Sequence, residues 1–290
     1  MTHERSTEAS ANTSAVAAAA SVPVPARGDD GVFVLFRGGR LPSWHLLSDA
    51  ERAAAERHHV DLMLSVGHRY GMRRIEGFRL LGLQHDWARF WVIEFPELAG
   101  AEAWIEAEMA PPYGLYGHYD YRLARSWARD HLATWPISPR PVGPSDDAAS
   151  GPGSPATTDS GLGGITSVGS SAAAGSVRLE ADRSSIVVLL FGRWRPGAEA
   201  VSPELRADGP HVELMQRVAR EHGLIRIEAF QAIDPPPDWH RAWLIEFPTL
   251  AGAEAWMDAE VLPPHGAYSS KQFFLARRWA PDYFATWVGR

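Results

Sequence analysis

Two short segments carry the same acidic, basic and aromatic residues at alternate positions. Arg74, Glu76 and Phe78 alternate with Ile75 and Gly77. Successive side chains of a strand point to opposite faces, so each such triplet lies on one face of a predicted strand. The small or β-branched residues between them suit the face under the helices, so we expect the Arg-Glu-Phe face to line a cavity between the sheets. A carboxyl group there acts as a base when burial raises its pKa, whereas the structural alternative is an Arg–Glu pair that fixes strand register. Glu76 and Glu228 are therefore catalytic candidates, and Arg74, Arg226, Phe78 and Phe230 are ligand-binding candidates.

A second pair of acids, Glu94 and Glu246, lies at the end of the third predicted strand of each copy, within an Ile-Glu-Phe-Pro segment. Each is a candidate base or ligand anchor. Each could equally stabilise the N-terminus of the helix that follows. Arg89 and Arg241 precede these segments and could bind a carboxylate through two parallel hydrogen bonds, or pair with the acids.

Aromatic and histidine residues follow two Pro-Pro pairs and are candidates for a gate over a cavity. They are Tyr113 and Tyr116, matched by His265 and Tyr268. His59 and His211 invite a metal or haem interpretation, but the sequence contains no His-x-x-x-His or His-Glu-x-x-His pattern. We therefore expect packed histidines, and no metal site is predicted.

These candidates recur because the chain contains an internal duplication. Residues 91–135 match residues 243–287 without a gap, with 27 identities in 45 positions. Ten of the 12 Trp residues fall in five matched pairs, of which Trp104 and Trp256 are expected in the core.

Each copy predicts the element order β-α-β-β-α-β, a ferredoxin-like unit. Ser48 and Glu51 are predicted to form a capping box at the start of the first helix of copy one. Gly71 is predicted to end that helix, and Gly223 to end the matching helix of the second copy. The predicted strands are 32–36, 74–78, 90–95 and 121–127, then 186–191, 226–230, 242–247 and 273–279. The fold class is α+β, with a disordered tail at 1–30, one repeat at 31–137, a flexible linker at 138–184 and a second repeat at 185–290.

Composition excludes several classes of protein. The absence of Cys excludes disulfides, thiolate metal sites and a thiol nucleophile. A net charge of −7 without a basic stripe argues against nucleic acid as a partner. No apolar run has the length of a membrane span, and no signal peptide is recognised, so the expectation is a cytoplasmic protein.

The segment from Arg89 through Ile93-Glu94-Phe95-Pro96 to Trp104 resembles the dimeric α/β-barrel superfamily, and is most similar to its DUF1330 family. Arg241, Glu246 and Trp256 match it in the second copy. The resemblance implies an intramolecular pseudo-dimer of two four-stranded sheets. The sequence departs from the family where the helix runs into Pro111-Pro112 or Pro263-Pro264, which puts the site near that helix end in doubt.

The superfamily includes cofactor-independent monooxygenases, cyclases, isomerases and haem enzymes. The resemblance therefore implies a small-molecule protein with a cavity for an aromatic or polyketide-like ligand, with one of those cofactor-independent activities as the catalytic possibility. The alternatives are a non-catalytic ligand-binding or assembly module and a haem-binding two-repeat barrel enzyme. We predict no cofactor, and haem is the single cofactor that the resemblance brings into consideration. The sequence leaves open whether the pseudo-dimer assembles further into a homo-oligomer.

Overall fold

The computed structural model describes residues 31–82, 87–139, 176–178, 182–236 and 238–281. Repeat 1 contains four strands and two long helices, and repeat 2 contains their counterparts. The elements of repeat 1 are β1 (Val32–Arg40), α1 (Asp49–Arg69), β2 (Arg74–Leu80), β3 (Arg89–Phe95), α2 (Leu98–Met109) and β4 (Gly117–Ser126). Between the repeats lie α3 (Arg129–Ala133) and β5 (Ser176–Arg178). Repeat 2 consists of β6 (Asp182–Trp194), α4 (Asp208–His222), β7 (Arg226–Ala232), β8 (Arg241–Phe247), α5 (Leu250–Val261) and β9 (Ser269–Arg278).

The helix boundaries follow the predicted local signals. The Ser48 hydroxyl accepts a hydrogen bond from the Glu51 backbone N–H, and the Glu51 carboxylate accepts one from the Ser48 backbone, so the capping box is confirmed. Gly223 ends α4 in the left-handed region, at a φ of 67°, which costs glycine little.

The eight strands of the two repeats form one closed antiparallel barrel. Within repeat 1 the strand order is β2-β3-β1-β4, and within repeat 2 it is β7-β8-β6-β9. The ring closes through two seams, where β4 pairs with β7 and β2 pairs with β9. This arrangement confirms the predicted α+β architecture of two ferredoxin-like units in one barrel.

Two segments fall inside the range predicted to be a linker. Strand β5 pairs in parallel with the first three residues of β2, which β9 leaves unpaired. Strand β6 begins at Asp182, three residues before the predicted start of the second repeat. The predicted tail, the central part of that linker and the C-terminal residues lie outside the described residues.

Three layers of packing hold the barrel together. Side chains at alternate strand positions fill its interior, and the helices of each repeat cover the outer face of that repeat's sheet. Trp104 of α2 and Trp256 of α5 are each 1% exposed and lie in the core, as expected. The segment 127–135 after β4, here called the connecting arm, crosses to repeat 2, where Leu132 and Trp135 join the core. Among the described residues, no helix is long and apolar enough to cross a membrane.

Candidate functional site

The predicted Arg-Glu-Phe face points into the barrel. Phe78 and Phe230 are almost fully buried there, packed with aliphatic and aromatic side chains from both repeats. Phe33 meets Phe230 edge to face, with ring centroids 5.0 Å apart. The middle of the barrel is therefore a packed core. The space that remains is a cavity of about 420 Å³ at one end of the barrel, and the predicted site residues that line it are Arg74, Glu94, Arg226, Glu228 and Phe230.

At one end of the barrel the polar residues of this face form a salt-bridge network. The Arg226 guanidinium donates two hydrogen bonds to Glu76, at 2.7 and 2.9 Å, and one to Glu228, at 2.6 Å. Arg74 bridges the same two carboxylates, at 2.6 and 2.7 Å. Arg278 joins Glu76 to Glu246, and its Nη2 lies 2.8 Å from Glu246 Oε2. This barrel-end network thus contains Arg74, Glu76, Arg226, Glu228, Glu246 and Arg278.

The network holds Glu76 and Glu228 in the charged form. Burial alone would raise the pKa of Glu76, but three neighbouring arginines hold it well below its usual value. Burial opposes ionisation of Glu228 too, yet Arg226 and Arg74 lower its pKa to about 2. Carboxylates so strongly stabilised in the ionised form are poor proton acceptors at neutral pH. Their geometry is that of the structural alternative, an Arg–Glu pairing across strands and across the two repeats.

Glu94 and Glu246 occupy equivalent positions but differ in environment. Glu246 is 1% exposed, accepts a hydrogen bond from the Ser185 hydroxyl at 2.6 Å and is bound by Arg278. Glu94 is partly exposed, its nearest Arg73 nitrogen is 3.9 Å away, and burial raises its pKa against the charges of Arg74, Arg73 and Arg129. Neither acid is the N-cap residue of the next helix. Glu97 holds that position in α2, where its side chain makes no cap hydrogen bond, and Thr249 holds it in α5 and caps the helix.

A pocket on the outer face of repeat 2 lies between the sheet, α4, α5 and the connecting arm. Its volume is about 200 Å³. Five tryptophans and three cationic side chains line it, together with histidines and aliphatic groups. We call it the outer pocket; the tryptophans are Trp127, Trp135, Trp194, Trp243 and Trp256, and the cations are Arg193, Arg241 and Lys271.

Histidines and charged residues are linked along one wall of the outer pocket. The rings of His211 and His265 stack with centroids 3.8 Å apart. His211 Nε2 lies 3.5 Å from the Glu260 carboxylate, which also forms an ion pair with Lys271. His265 Nδ1 lies 3.1 Å from Asp208 Oδ1. Burial and the nearby charges of His211 and Lys271 lower the pKa of His265 to about 4, so its imidazole is neutral at neutral pH.

Several buried polar atoms of the outer pocket have no hydrogen-bond partner among the described residues. They include the indole nitrogens of Trp135 and Trp256 and the hydroxyl of Ser269. A buried donor without a partner costs about 1–3 kcal/mol. A ligand bearing acceptor oxygens would satisfy these donors.

The equivalent pocket of repeat 1 is closed by larger aromatic side chains. Tyr119 occupies the position of Lys271, Tyr113 that of His265, and Phe36 that of Leu190. The rings of Phe36 and Tyr119 lie 5.7 Å apart, and Tyr113 stacks on His59 with centroids 3.7 Å apart. Only about 20 Å³ remains. The two repeats therefore share a fold but not a pocket.

The presence of Lys271 in repeat 2 and Tyr119 in repeat 1 gives the matched acids Glu260 and Glu108 opposite protonation states at neutral pH. In repeat 2, burial raises the pKa of Glu260, but the hydrogen bond from His211 and the charge of Lys271 outweigh it and lower the pKa to about 2. In repeat 1 no lysine stands opposite Glu108, and burial raises its pKa to about 8 despite Arg40 and Arg89. Glu108 is therefore neutral at pH 7, beside a His59 whose pKa burial lowers to about 3.

The remaining candidates stand near the pockets in other roles. The Arg89 guanidinium lies over Trp279, 4.7 Å from the ring centroid, and Arg241 lies over Trp127 at 4.0 Å. Tyr116 packs edge-on against Trp44, and Tyr268 is half-buried in the turn after Pro264. No group of three potential metal-ligating side chains occurs in the part of the chain that the structure describes.

Sequence reasoning missed Glu108 and Glu260. Each lies four residues after a buried tryptophan of the same helix, and residues four apart share a helix face. An acidic residue repeated on a buried face was the available signal. The alignment of the repeats shows Tyr119 at the position of Lys271. Only the structure shows that this position lies opposite the buried acid of each repeat.

Comparison with known proteins identifies the fold. No protein-family model matches the chain, and no curated protein matches it. Solved structures of chlorite dismutase from Candidatus Nitrospira defluvii do. A mutant of that protein has a TM-score of 0.57 at 9% identity, covering 89% of this chain and 94% of that chain. The complex with imidazole has a TM-score of 0.58 at 10% identity, covering 90% and 97%. The dimeric α/β-barrel fold is thus shown, and the likeness to the DUF1330 family stays a prediction.

Proposed function

We propose that this chain binds a planar aromatic molecule bearing negative charge in the outer pocket of repeat 2. The observation that carries the proposal is the asymmetry between the repeats: the same pocket is filled in repeat 1 and open, cationic and tryptophan-lined in repeat 2. Aromatic walls favour a flat apolar ring, and arginine and lysine favour its carboxylate.

The size of the outer pocket selects among such ligands. An apolar cavity of about 150 Å³ accommodates benzene, and the outer pocket has about 200 Å³. It therefore suits an aromatic acid of one or two rings. The indole N–H groups of Trp135 and Trp256 and the Ser269 hydroxyl would donate to its oxygens.

Haem is the large member of the same chemical class and is the second candidate. Two observations favour it: the fold is that of chlorite dismutases, one of them solved in complex with imidazole, and four histidines line the outer pocket, His211 and His265 among them. A neutral His265 whose Nδ1 meets a carboxylate has the arrangement usual for a metal-ligating histidine. A tetrapyrrole does not fit the space as it stands, so haem binding would require the connecting arm to move away.

Catalysis by this chain stays a further prediction. Glu260 is ionised and paired, and is therefore a poor base. His265 is a neutral imidazole at neutral pH, but its pKa of about 4 makes it a weak base there as well. These two groups therefore support ligand binding more directly than a cofactor-independent isomerase or oxygenase activity.

The test is a titration of the purified chain with naphthalene carboxylic acid and, separately, with haem. Tryptophan fluorescence reports the aromatic acid, and a Soret band reports haem. Lys271→Tyr, which copies repeat 1, should abolish binding of the aromatic acid. Tyr119→Phe at the matched position of repeat 1 is the control and should bind like the wild type.

Each outcome decides between the candidates. Saturable quenching by the aromatic acid that Lys271→Tyr removes supports the small-ligand proposal. A Soret band that His265→Ala or His211→Ala removes supports haem instead. If neither ligand binds, or if Lys271→Tyr binds the aromatic acid as well as the wild type, the proposed site is wrong.

A further inference from the structure

The closed pocket of repeat 1 contains a cation without a carboxylate partner. Arg40 lines this void of about 20 Å³, together with Arg89, Glu108, Tyr113 and Tyr119. The Arg40 Nη2 donates a hydrogen bond to the Tyr113 hydroxyl, and no carboxylate of the described residues forms an ion pair with Arg40. A charged group that is partly removed from water is normally paired, because its desolvation costs free energy.

The surroundings of Arg40 leave one of its charged donors unsatisfied. Its Cζ lies 4.1 Å from the ring centroid of Trp44 and 3.9 Å from that of Tyr113. These ring contacts supply no acceptor for Nε–H, which is buried and has no hydrogen-bond partner among the described residues. An unsatisfied donor of a charged group costs more free energy than a neutral one, so an acceptor at this atom would stabilise the fold.

No neighbouring group supplies the missing negative charge at neutral pH. Glu108 keeps its proton because burial raises its pKa to about 8, and His59 is neutral because burial lowers its pKa to about 3. Burial also raises the pKa of Tyr119 and Tyr121 above the usual value for a phenol, so both stay neutral. Arg89 adds a second positive charge to the wall of the void.

Repeat 2 shows the same region with its charge balanced from within the chain. There Lys271 forms an ion pair with Glu260, whose pKa is lowered to about 2. Trp194 stands where repeat 1 has Arg40. The cation of repeat 1 therefore comes from a different strand position and faces an uncharged acid.

We propose that the closed pocket binds one chloride ion, which accepts a hydrogen bond from Arg40 Nε and balances the positive charge of the void. A cavity of about 10–15 Å³ is the smallest that holds a water molecule. The 20 Å³ of the closed pocket therefore suits a single monatomic ion and is too small for sulfate or an organic acid. This site is distinct from the outer pocket and is not needed for the function proposed above.

Thermal denaturation at pH 6 in sodium chloride and in sodium gluconate, at equal ionic strength, tests the proposal. Above half-saturation the melting temperature should rise by about 3 °C for each tenfold increase in chloride, and gluconate should not reproduce this rise. Arg40→Gln should lose the response to chloride, whereas Arg57→Gln, at an exposed arginine of α1, should keep it. Equal responses to the two salts, or a wild-type response in Arg40→Gln, would overturn the proposal.

The pH dependence of chloride binding gives a readout that a merely structural Arg40 would not show. Chloride and an ionised Glu108 compete for the same positive charge, so chloride affinity should fall by up to tenfold per pH unit above about pH 8. His59, Tyr119 and Tyr121 do not titrate between pH 7 and pH 9.5. Glu108→Gln should therefore bind chloride equally across this range, and the same fall in both proteins would contradict the proposed site.

Anomalous scattering from crystals grown in sodium bromide at pH 6 locates the ion without any substitution. We expect a bromide peak within hydrogen-bonding distance of Arg40 Nε. A water molecule in its place, or bromide at exposed surface positions as an adventitious ion only, would overturn the proposal even if Arg40→Gln does not fold. Failure of ligand binding in the outer pocket would leave these results unaffected.

Discussion

Replacing Glu108 with glutamine should change how the stability of the protein depends on pH. Glu108 is 7% exposed at the closed pocket of repeat 1, and burial raises its pKa from 4.5 to about 8. Its Oε2 lies 3.5 Å from Nε2 of His59, which is itself neutral because burial lowers its pKa to about 3. Glutamine keeps the shape of the side chain and removes the titration.

The magnitude follows from proton linkage. A carboxyl whose pKa is higher in the folded state stabilises that state fully below its unfolded pKa of 4.5, and this contribution is lost as the pH rises to about 8. The loss is about 1.4 kcal/mol per pH unit for one proton. From pH 5 to pH 8 the wild type should therefore lose about 4 kcal/mol relative to Glu108→Gln.

Urea unfolding of both proteins at pH 5, 6, 7 and 8 measures this difference. The low pKa of His59 makes the free energy of unfolding rise with pH below pH 6.5, which is opposite to the effect of Glu108. Because the wild type and the variant share this contribution, it cancels when the two proteins are compared. Glu260→Gln is the matched control. The pKa of Glu260 is lowered to about 2, so its contribution is complete above 4.5 and its difference curve should be flat over this range.

A flat difference curve for Glu108→Gln would refute this reasoning. Equal slopes of the two difference curves, for Glu108→Gln and Glu260→Gln, would refute it too. The pH dependence would then not arise from the absence of a lysine opposite Glu108.

Three further substitutions test the packing and charge arguments. Arg278→Ala should destabilise the protein by about 3–5 kcal/mol in urea unfolding, since it leaves buried carboxylates without their partner; a loss below about 1 kcal/mol would contradict the pairing. Phe230→Ala, in the packed barrel, should cost about 3–5 kcal/mol, and an unchanged denaturation midpoint would show that the interior is not a core. Ser48→Ala should cost about 1 kcal/mol by thermal denaturation through loss of the helix cap, and no change in melting temperature would count against the cap.

The architecture could be predicted from sequence because its signals are local or repeated. Alternation placed Arg74 and Phe78 on the inward face, and the capping box located the start of α1 correctly. The gap-free match between the repeats indicated two equivalent units, and the resemblance supplied the barrel. None of these inferences needed knowledge of which side chain fills which space.

The site was harder to predict because it depends on packing between distant segments. Whether the barrel interior holds a ligand or a core depends on the combined volume of side chains from eight strands, such as Phe33 against Phe230. Whether the pocket of repeat 2 is open depends on Lys271 standing where repeat 1 has Tyr119. A sequence shows such an exchange, but not that the two positions face a cavity.

The two seams of the barrel join repeats that are encoded separately. In a homodimer of one such unit, a single codon specifies both symmetry-related positions, so a substitution that opens one pocket opens the other as well. In this chain, Ser126 stands at one seam where Arg278 stands at the other. With both halves in one chain, each position of the duplicated unit can change without its counterpart, so the two ends of the barrel can differ in charge and in packing.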